Sequence, residues 1–193
     1  MDKVTLFSQA LHKIGQREYF RDTPSGKECD LWFPQVLHEA LLFGRWSFAT
    51  RETTLQSDTP FRFQLPADCI RVLKVGAPRF RLIGRELIVE GHPSLRDNRT
   101  LPLRDSRTLP LTYLSDSLAR QEHLPDTEPM FCKGVMLLLA ARIAPKLTSN
   151  PQLATALDQD ASETLRRALH ENAVQQWSND QHPLKDILNS ALF

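Results

Sequence analysis

Glycine is scarce in this chain: seven residues against thirteen prolines in a length of 193. Few positions therefore let the backbone approach a phosphate closely, so a glycine-rich phosphate cradle is not expected, while the prolines predict stiff turns and abruptly ended elements. Cysteine is scarce as well. Cys29, Cys69 and Cys132 are odd in number, far apart and form no C-x-x-C pair, which argues against a disulfide framework or a zinc site and for reduced thiols in a cytosolic setting. Long hydrophobic runs are missing too: the longest mostly apolar stretch, Val135 to Ala141, is far too short to cross a bilayer. The opening Met1-Asp2-Lys3-Val4-Thr5-Leu6 has no signal-peptide hydrophobic region, so a soluble chain is expected. Nor is there an excess of charge of one sign. Lys and Arg total 24 against 23 for Asp and Glu, a net +1, which excludes a general polycationic nucleic-acid binder and a highly charged disordered chain. What remains is a length that can bury a sizeable core in one domain.

Periodicity sets the expected elements. Val4, Phe7, Ala10, Leu11 and Ile14 recur at helical spacing behind Asp2, predicting a first helix over about residues 2–15. Ser25-x-x-Glu28 reads as a capping box for a second helix over 27–43, with Cys29, Phe33, Val36, Leu37, Ala40 and Leu41 as its buried stripe. Pro34 must either kink that helix or mark its true start. From Trp46 to Thr50 the period changes and extended structure takes over. Phe61 to Leu65 alternates as a strand does, Leu65-Pro66-Ala67-Asp68 is a turn, and strands are expected at Ile70–Val75, Phe80–Ile83, Glu86–Glu90 and Leu109–Leu114. Together they predict a small antiparallel sheet inserted over about 50–115. Within it, residues 95–102 and 103–110 form a tandem eight-residue duplication, LRDNRTLP then LRDSRTLP. It reads either as a lengthened exposed loop or as a protruding arm. A third helix over 128–147 is apolar on nearly every side, the pattern of a bundle centre, with Pro145 expected to kink or end it. Asn150-Pro151 then opens a fourth helix to about 177, with Leu153, Leu157, Ala161, Leu165, Ala168 and Ala173 leading to Trp177. Beyond a polar break, Leu184, Ile187, Leu188, Ala191, Leu192 and Phe193 are apolar residues left without a place in the bundle.

Chemistry-bearing motifs are absent: no GxGxxG, P-loop, HExxH, GxSxG or EF-hand pattern occurs. Cys132 with His123 and Asp126 could be drawn as a thiol triad, but Cys132 opens the most apolar helix and is expected in the core. His38-Glu39 has no second histidine one turn on and reads as a solvated helix face. Asp68 is expected to bond neighbouring backbone amides at its turn. Catalytic, metal and cofactor-binding residues are accordingly expected to be none. The balanced total hides an uneven distribution. Residues 66–110 carry nine basic side chains against five acidic ones, and residues 121–193 carry six against nine. A basic sheet and an acidic helical end suit head-to-tail self-association. Few exposed aromatics are expected on the sheet, so no stacking platform for single strands is anticipated.

Several segments in order resemble the head-to-tail adaptor, or tail tubular protein A, family of short-tailed bacteriophages. They are Cys29-x-Leu-Trp32-Phe33-Pro34, Gly44-Arg-Trp46-Ser-Phe48-Ala49, Leu65-Pro66-Ala67-Asp68-Cys69-Ile70-Arg71-Val72-Leu73-Lys74-Val75, Leu111-Thr-Tyr113-Leu114, and Glu128-Pro129-Met-Phe131 leading to Ala140-Ala141-Arg142-Ile143-Ala144. The likeness spans roughly Val4 to Trp177; the duplication and the stretch after Trp177 depart from it. It implies a structural virion protein at the head-tail junction, present in the host cytoplasm before assembly. Such a protein forms a ring, expected as a dodecamer, between the portal protein and the tail nozzle, and extends the channel through which genomic DNA passes without sequence-specific binding. The isolated chain is expected to be monomeric, and no membrane, cofactor or enzymatic activity is implied.

The expected fold is thus α+β, mainly α: a bundle of about four helices with an inserted small antiparallel sheet or hairpin region, forming one adaptor domain over 1–178, followed by a docking tail over 179–193. Leu184, Ile187, Leu188, Leu192 and Phe193 are the candidate docking residues for the portal or a neighbouring subunit. Arg96, Arg99, Arg104 and Arg107 are the candidate contacts for tail proteins or a neighbour. Two alternatives stay open: a virion-associated hydrolase with a convergent site, which paired carboxylates in a cleft would favour, and a cytosolic phage assembly or nucleic-acid-binding factor.

Overall fold

The computed structural model describes residues 1–17, 19–90, 107–121 and 123–180, the side chains of residues 120 and 176–180 excepted. The fold is α+β and mainly α, with 50% of the described residues helical and 22% in strands. The chain forms two compact units, one from Met1–Phe48 with the segment from Ser117 onward, the other from Ala49–Asp116.

The helical unit is built from α1 (Lys3–Lys13), α2 (Pro24–Leu42), α3 (Pro129–Thr148) and α4 (Pro151–Asp180), with a 3-10 turn at Ser117–Arg120. In α1 the buried face is Leu6, Phe7, Ala10 and Leu11, whereas Val4 is exposed; the stripe is rotated from the expected one because Leu6, not Val4, turns inward. The start of α2 also differs from expectation. Thr23, not Ser25, is the N-cap: its hydroxyl oxygen accepts from the Gly26 N–H at 3.1 Å, and Pro24 takes the first helical position. A proline there loses no bond and has its φ already set for a helix, which fixes the start ahead of Ser25. Glu28 is released from any capping-box role and is buried against Lys146. The helix runs through Pro34 without a break, with Pro34 on its exposed side.

α3 is the centre of this unit. It packs on α1, α2 and α4, and its buried residues from Phe131 to Ala144 cover every side, as an all-round apolar sequence requires. Pro145 neither stops nor shortens it before Thr148. α3 and α4 approach closely at Gly134, where a β-carbon would lie 2.5 Å from Leu165 Cδ2. The Leu153 N–H donates to the Asn150 side-chain oxygen at 3.1 Å, so Asn150 caps α4 as its position before Pro151 suggests. The inward stripe of α4 is Leu157, Ala161, Leu165, Ala168 and then Asn172; Ala173, placed in that stripe by its spacing, is exposed instead.

The second unit holds two three-stranded antiparallel sheets where one was expected. β1 (Thr50–Gln56), β6 (Thr108–Ser115) and β3 (Cys69–Val75) form one in the order β1-β6-β3; β2 (Arg62–Gln64), β5 (Glu86–Val89) and β4 (Phe80–Ile83) form the other in the order β2-β5-β4. They share one core of Leu55, Phe63, Cys69, Leu87, Val89, Leu109, Leu111 and Tyr113. β1 escapes notice in the sequence because Thr-Arg-Glu-Thr-Thr-Leu-Gln buries only Leu55. It is an edge strand whose pairing with β6 rests on backbone bonds and β-branched threonines. Residues 95–106 of the duplication lie outside the described residues. Its last residues do not: Thr108, Leu109 and Pro110 belong to β6, where Leu109 is fully buried.

Candidate interaction surfaces

Asp126 lies near enough to Cys132 and His123 to interact with both electrostatically, but each of the three groups of the thiol arrangement considered from sequence bonds or faces another partner. Cys132 is buried, its thiol donates to the Pro125 carbonyl at 3.4 Å, and burial pushes its pKa up to about 11. His123 faces the Asp2 carboxylate at 3.9 Å, and Asp126 pairs with the amino group of Met1. A thiol held so firmly protonated is a poor nucleophile. Cys29 is buried likewise, its pKa pushed up to about 12 by desolvation and by Asp30 and Glu28 beside it. Among the described residues no group of three or more His, Cys, Asp and Glu is placed to hold a metal ion.

Among the described residues, two hollows bring carboxylates together, and both also supply cations. Asp2 and Asp30 line one of about 320 Å³ with Lys3. There the Lys3 ammonium lies 3.2 Å from Asp30, and 5.1 and 5.3 Å from the ring centres of Phe7 and Phe33. The Tyr19 hydroxyl donates to the same Asp30 at 2.8 Å, and burial followed by that bond raises its pKa to about 12. Glu28 and Asp158 line a hollow of about 710 Å³ between α2, α3 and α4. Lys146 pairs with Glu28, and Arg142 bridges Asp158 at 3.1 Å and both Glu39 oxygens at 2.8 and 2.9 Å. Glu39 is therefore part of an ion clamp across three helices, while His38 beside it is exposed as expected.

At the Leu65-Pro66-Ala67-Asp68 turn, the Asp68 carboxylate accepts the Ser115 hydroxyl at 2.6 Å and lies 3.3 Å from the Tyr113 hydroxyl. Side-chain hydroxyls from β6 therefore help to hold this turn. Burial and Asp68 together raise the Tyr113 pKa.

The basic sheet is less free than its composition suggests. Arg81 pairs with Glu90 at 2.6 Å, Arg62 with Glu86 at 3.6 Å, and Arg85 donates to the Pro66 carbonyl. Of the four arginines proposed for contacts, Arg107 is exposed just before β6, and its carbonyl accepts the Ser57 N–H at 3.0 Å. Arg96, Arg99 and Arg104 lie outside the described residues, as do Leu184, Ile187, Leu188, Leu192 and Phe193. The structure adds a feature that the sequence reading missed. Phe61 and Phe80 are 38% and 42% exposed, and Leu82 and Ile83 are 49% and 59% exposed, so the sheet does present aromatics. In the register, Phe61–Val89–Phe80 and Phe63–Leu87–Leu82 form cross-strand rows. Directly opposite residues share a face. The core face of this sheet therefore continues outward along edge strand β4, and an alternating pattern cannot reveal where cover ends.

A second missed residue is Asn172, 1% exposed on α4. Its Oδ1 accepts the Ser47 N–H at 3.0 Å and the Ser47 hydroxyl at 2.6 Å, and its Nδ2 donates to the Arg45 carbonyl at 3.1 Å. It ties the corner after α2 to α4. In that corner Trp46 donates its indole N–H to the Ala40 carbonyl at 3.0 Å and stacks edge-on against Phe131 at 4.9 Å. A polar residue at an apolar-stripe position was the only signal available. No protein-family model matches the chain, and no curated protein matches it.

Proposed function

We propose that this chain is a structural subunit of a head-to-tail adaptor ring in a short-tailed bacteriophage, seated between the portal and the tail nozzle. The observation that carries this reading is how the resembling segments meet. Gly44–Ala49 and Glu128–Phe131, distant in sequence, contribute Trp46, Phe48 and Phe131 to one aromatic cluster, with Phe48 and Phe131 also 4.9 Å apart. Leu65–Val75 and Leu111–Leu114 meet through Asp68 and Tyr113. Within each unit, segments of the resemblance that are distant in sequence are thus paired, which supports reading them together. The architecture fits the role: a helical unit gives a rigid body to pack on neighbours, and an inserted β unit with an exposed apolar edge gives a second contact surface.

In this reading the apolar residues Leu184, Ile187, Leu188, Leu192 and Phe193 dock on the portal or a neighbouring subunit, and the arginine-bearing duplication faces tail proteins or a neighbour. Deleting Ser178 to Phe193 is expected to leave a folded chain that no longer joins the portal; unimpaired joining contradicts that role. Reversing charge at Arg99 and Arg107 together is expected to weaken assembly, and assembly at the wild-type level contradicts the second contact.

A further inference from the structure

Among the described residues the second unit has four sheet edges, and three of them carry features that discourage pairing with another chain. β2 and β4 are only three and four residues long, and β3 is irregular in register at two places and exposes Arg71 and Lys74. β1 has none of these features. It keeps an unbroken register with β6 over all seven of its residues and holds no proline, glycine or lysine. The bonds flanking it fix which backbone groups stay open. The Ser57 N–H donates to the Arg107 carbonyl at 3.0 Å, and the Ser115 N–H to the Ala49 carbonyl at 2.9 Å. Hydrogen-bonded pairs alternate along an antiparallel ladder, so Arg51, Thr53 and Leu55 direct their backbone groups to β6 while Glu52, Thr54 and Gln56 turn theirs away from it. β1 ends its sheet, so among the described residues no strand meets those outward groups.

An open, extended edge takes another extended strand, and β1 is complementary to itself. When two copies pair antiparallel about a two-fold axis, only registers centred on a residue bring outward groups face to face. Centring on Arg51 or on Glu52 sets like charges directly opposite, which destabilises a strand pair. Centring on Thr54 sets Thr50 and Arg51 against residues beyond the strand, and centres nearer either end leave still more of it unmatched. Centring on Thr53 matches the strand along its whole length. It sets Thr53 against Thr53, a favourable β-branched pair, and Arg51 against Leu55. Glu52 and Thr54 of one copy then exchange backbone bonds with Thr54 and Glu52 of the other.

We propose that β1 pairs antiparallel with β1 of a second copy, centred on Thr53, and so joins two three-stranded sheets into one continuous sheet. The contact is isologous and closes at two copies. It goes beyond the adaptor reading and does not rest on it, since a ring needs a different, heterologous contact, and it departs from the monomer that the resemblance implies. One strand pair is a small interface, so the association is weak and depends on concentration.

The test uses full-length chains. In this register the two Thr53 residues form a non-hydrogen-bonded pair with Cα atoms about 4.5 Å apart, a spacing that a disulfide spans. Thr53→Cys with oxidised glutathione is expected to give a covalent dimer whose yield rises with protein concentration, and Thr54→Cys far less of it. The native Cys29, Cys69 and Cys132 are buried, and the unsubstituted chain serves as the blank. Thr54→Pro removes an outward N–H while sparing the ladder to β6. Sedimentation should show its dissociation constant raised roughly thirtyfold, because each pair loses two backbone bonds. A second pair of variants does not depend on a proline being tolerated. Thr53→Lys and Thr53→Glu are each expected to sediment as monomers and to form a dimer when mixed, with circular dichroism checking the fold of every variant. The proposal is overturned if Thr53→Cys gives no dimer, if Thr54→Cys gives as much, or if the Lys and Glu variants associate alone or stay apart when mixed. A ring under the portal combined with any of those results would leave the adaptor reading standing and remove this one.

Discussion

Replacing Asn172 by Ala tests whether one buried amide fixes the corner after α2 to α4. The side chain is 1% exposed and makes three hydrogen bonds, two accepted from Ser47 and one donated to Arg45. A net value of about 1 kcal/mol per bond gives about 3 kcal/mol. Arg45 and Ser47 are themselves exposed, so water can replace part of what is lost, and the expected cost is about 2–3 kcal/mol. For a chain of this size that corresponds to a fall in Tm of roughly 5–10 °C. Urea unfolding followed by far-UV circular dichroism, which the helices dominate, measures it. The sharper measurement is a double-mutant cycle with Ser47→Ala. Both single changes remove the same 2.6 Å bond, so the expected coupling is about 1 kcal/mol. A loss below about 0.5 kcal/mol for Asn172→Ala, or no coupling, would refute the assignment of this residue as the tie.

The remaining expectations concern packing, charge and the sheet edge. Gly134→Ala should cost about 1–3 kcal/mol in the same assay, because its β-carbon would meet Leu165 at 2.5 Å inside the α3–α4 contact; a neutral effect would mean that the helices separate freely there. Arg142→Ala should cost about 1–2 kcal/mol at low salt and clearly less in molar salt, since the Glu39 and Asp158 carboxylates it clamps are partly solvated. The Glu128 pKa is raised by burial and then by Glu171. Its charged form therefore opposes folding, and Glu128→Gln should stabilise the protein at pH 7, with the gain fading as the pH falls through the raised pKa and both side chains become neutral. Pairing Phe80→Ser with Leu82→Thr should leave the core of Phe63, Leu87 and Val89 folded, because both substituted positions are exposed. It should also weaken joining to the portal or tail proteins, the contact that the proposed function gives this edge, and joining at the wild-type level would contradict that role.

Much of this fold was legible because periodicity reports burial. The all-round apolar α3 and the Asn150-Pro151 start of α4 needed only local rules. Other features depended on partners that a sequence does not name. Ser25-x-x-Glu28 satisfies a capping pattern, yet Thr23-Pro24 lies just ahead and Glu28 finds Lys146, which is 118 residues away. β1 was hidden because a polar edge strand buries one residue, and the second sheet because nothing local reveals which strands pair with β6 rather than with β5. Surface assignments were hardest of all. Counting charge made the sheet basic, but Arg62 and Arg81 are held by Glu86 and Glu90 of the same sheet. Its exposed apolar edge follows from where the opposing sheet stops, which alternation along β4 does not encode.

The adaptor reading is tested most directly by electron microscopy of the purified chain mixed with the portal protein of the same phage. The account predicts a ring of this protein added beneath the portal and coaxial with its channel. Portal particles that stay bare in a saturating excess of folded protein would contradict it.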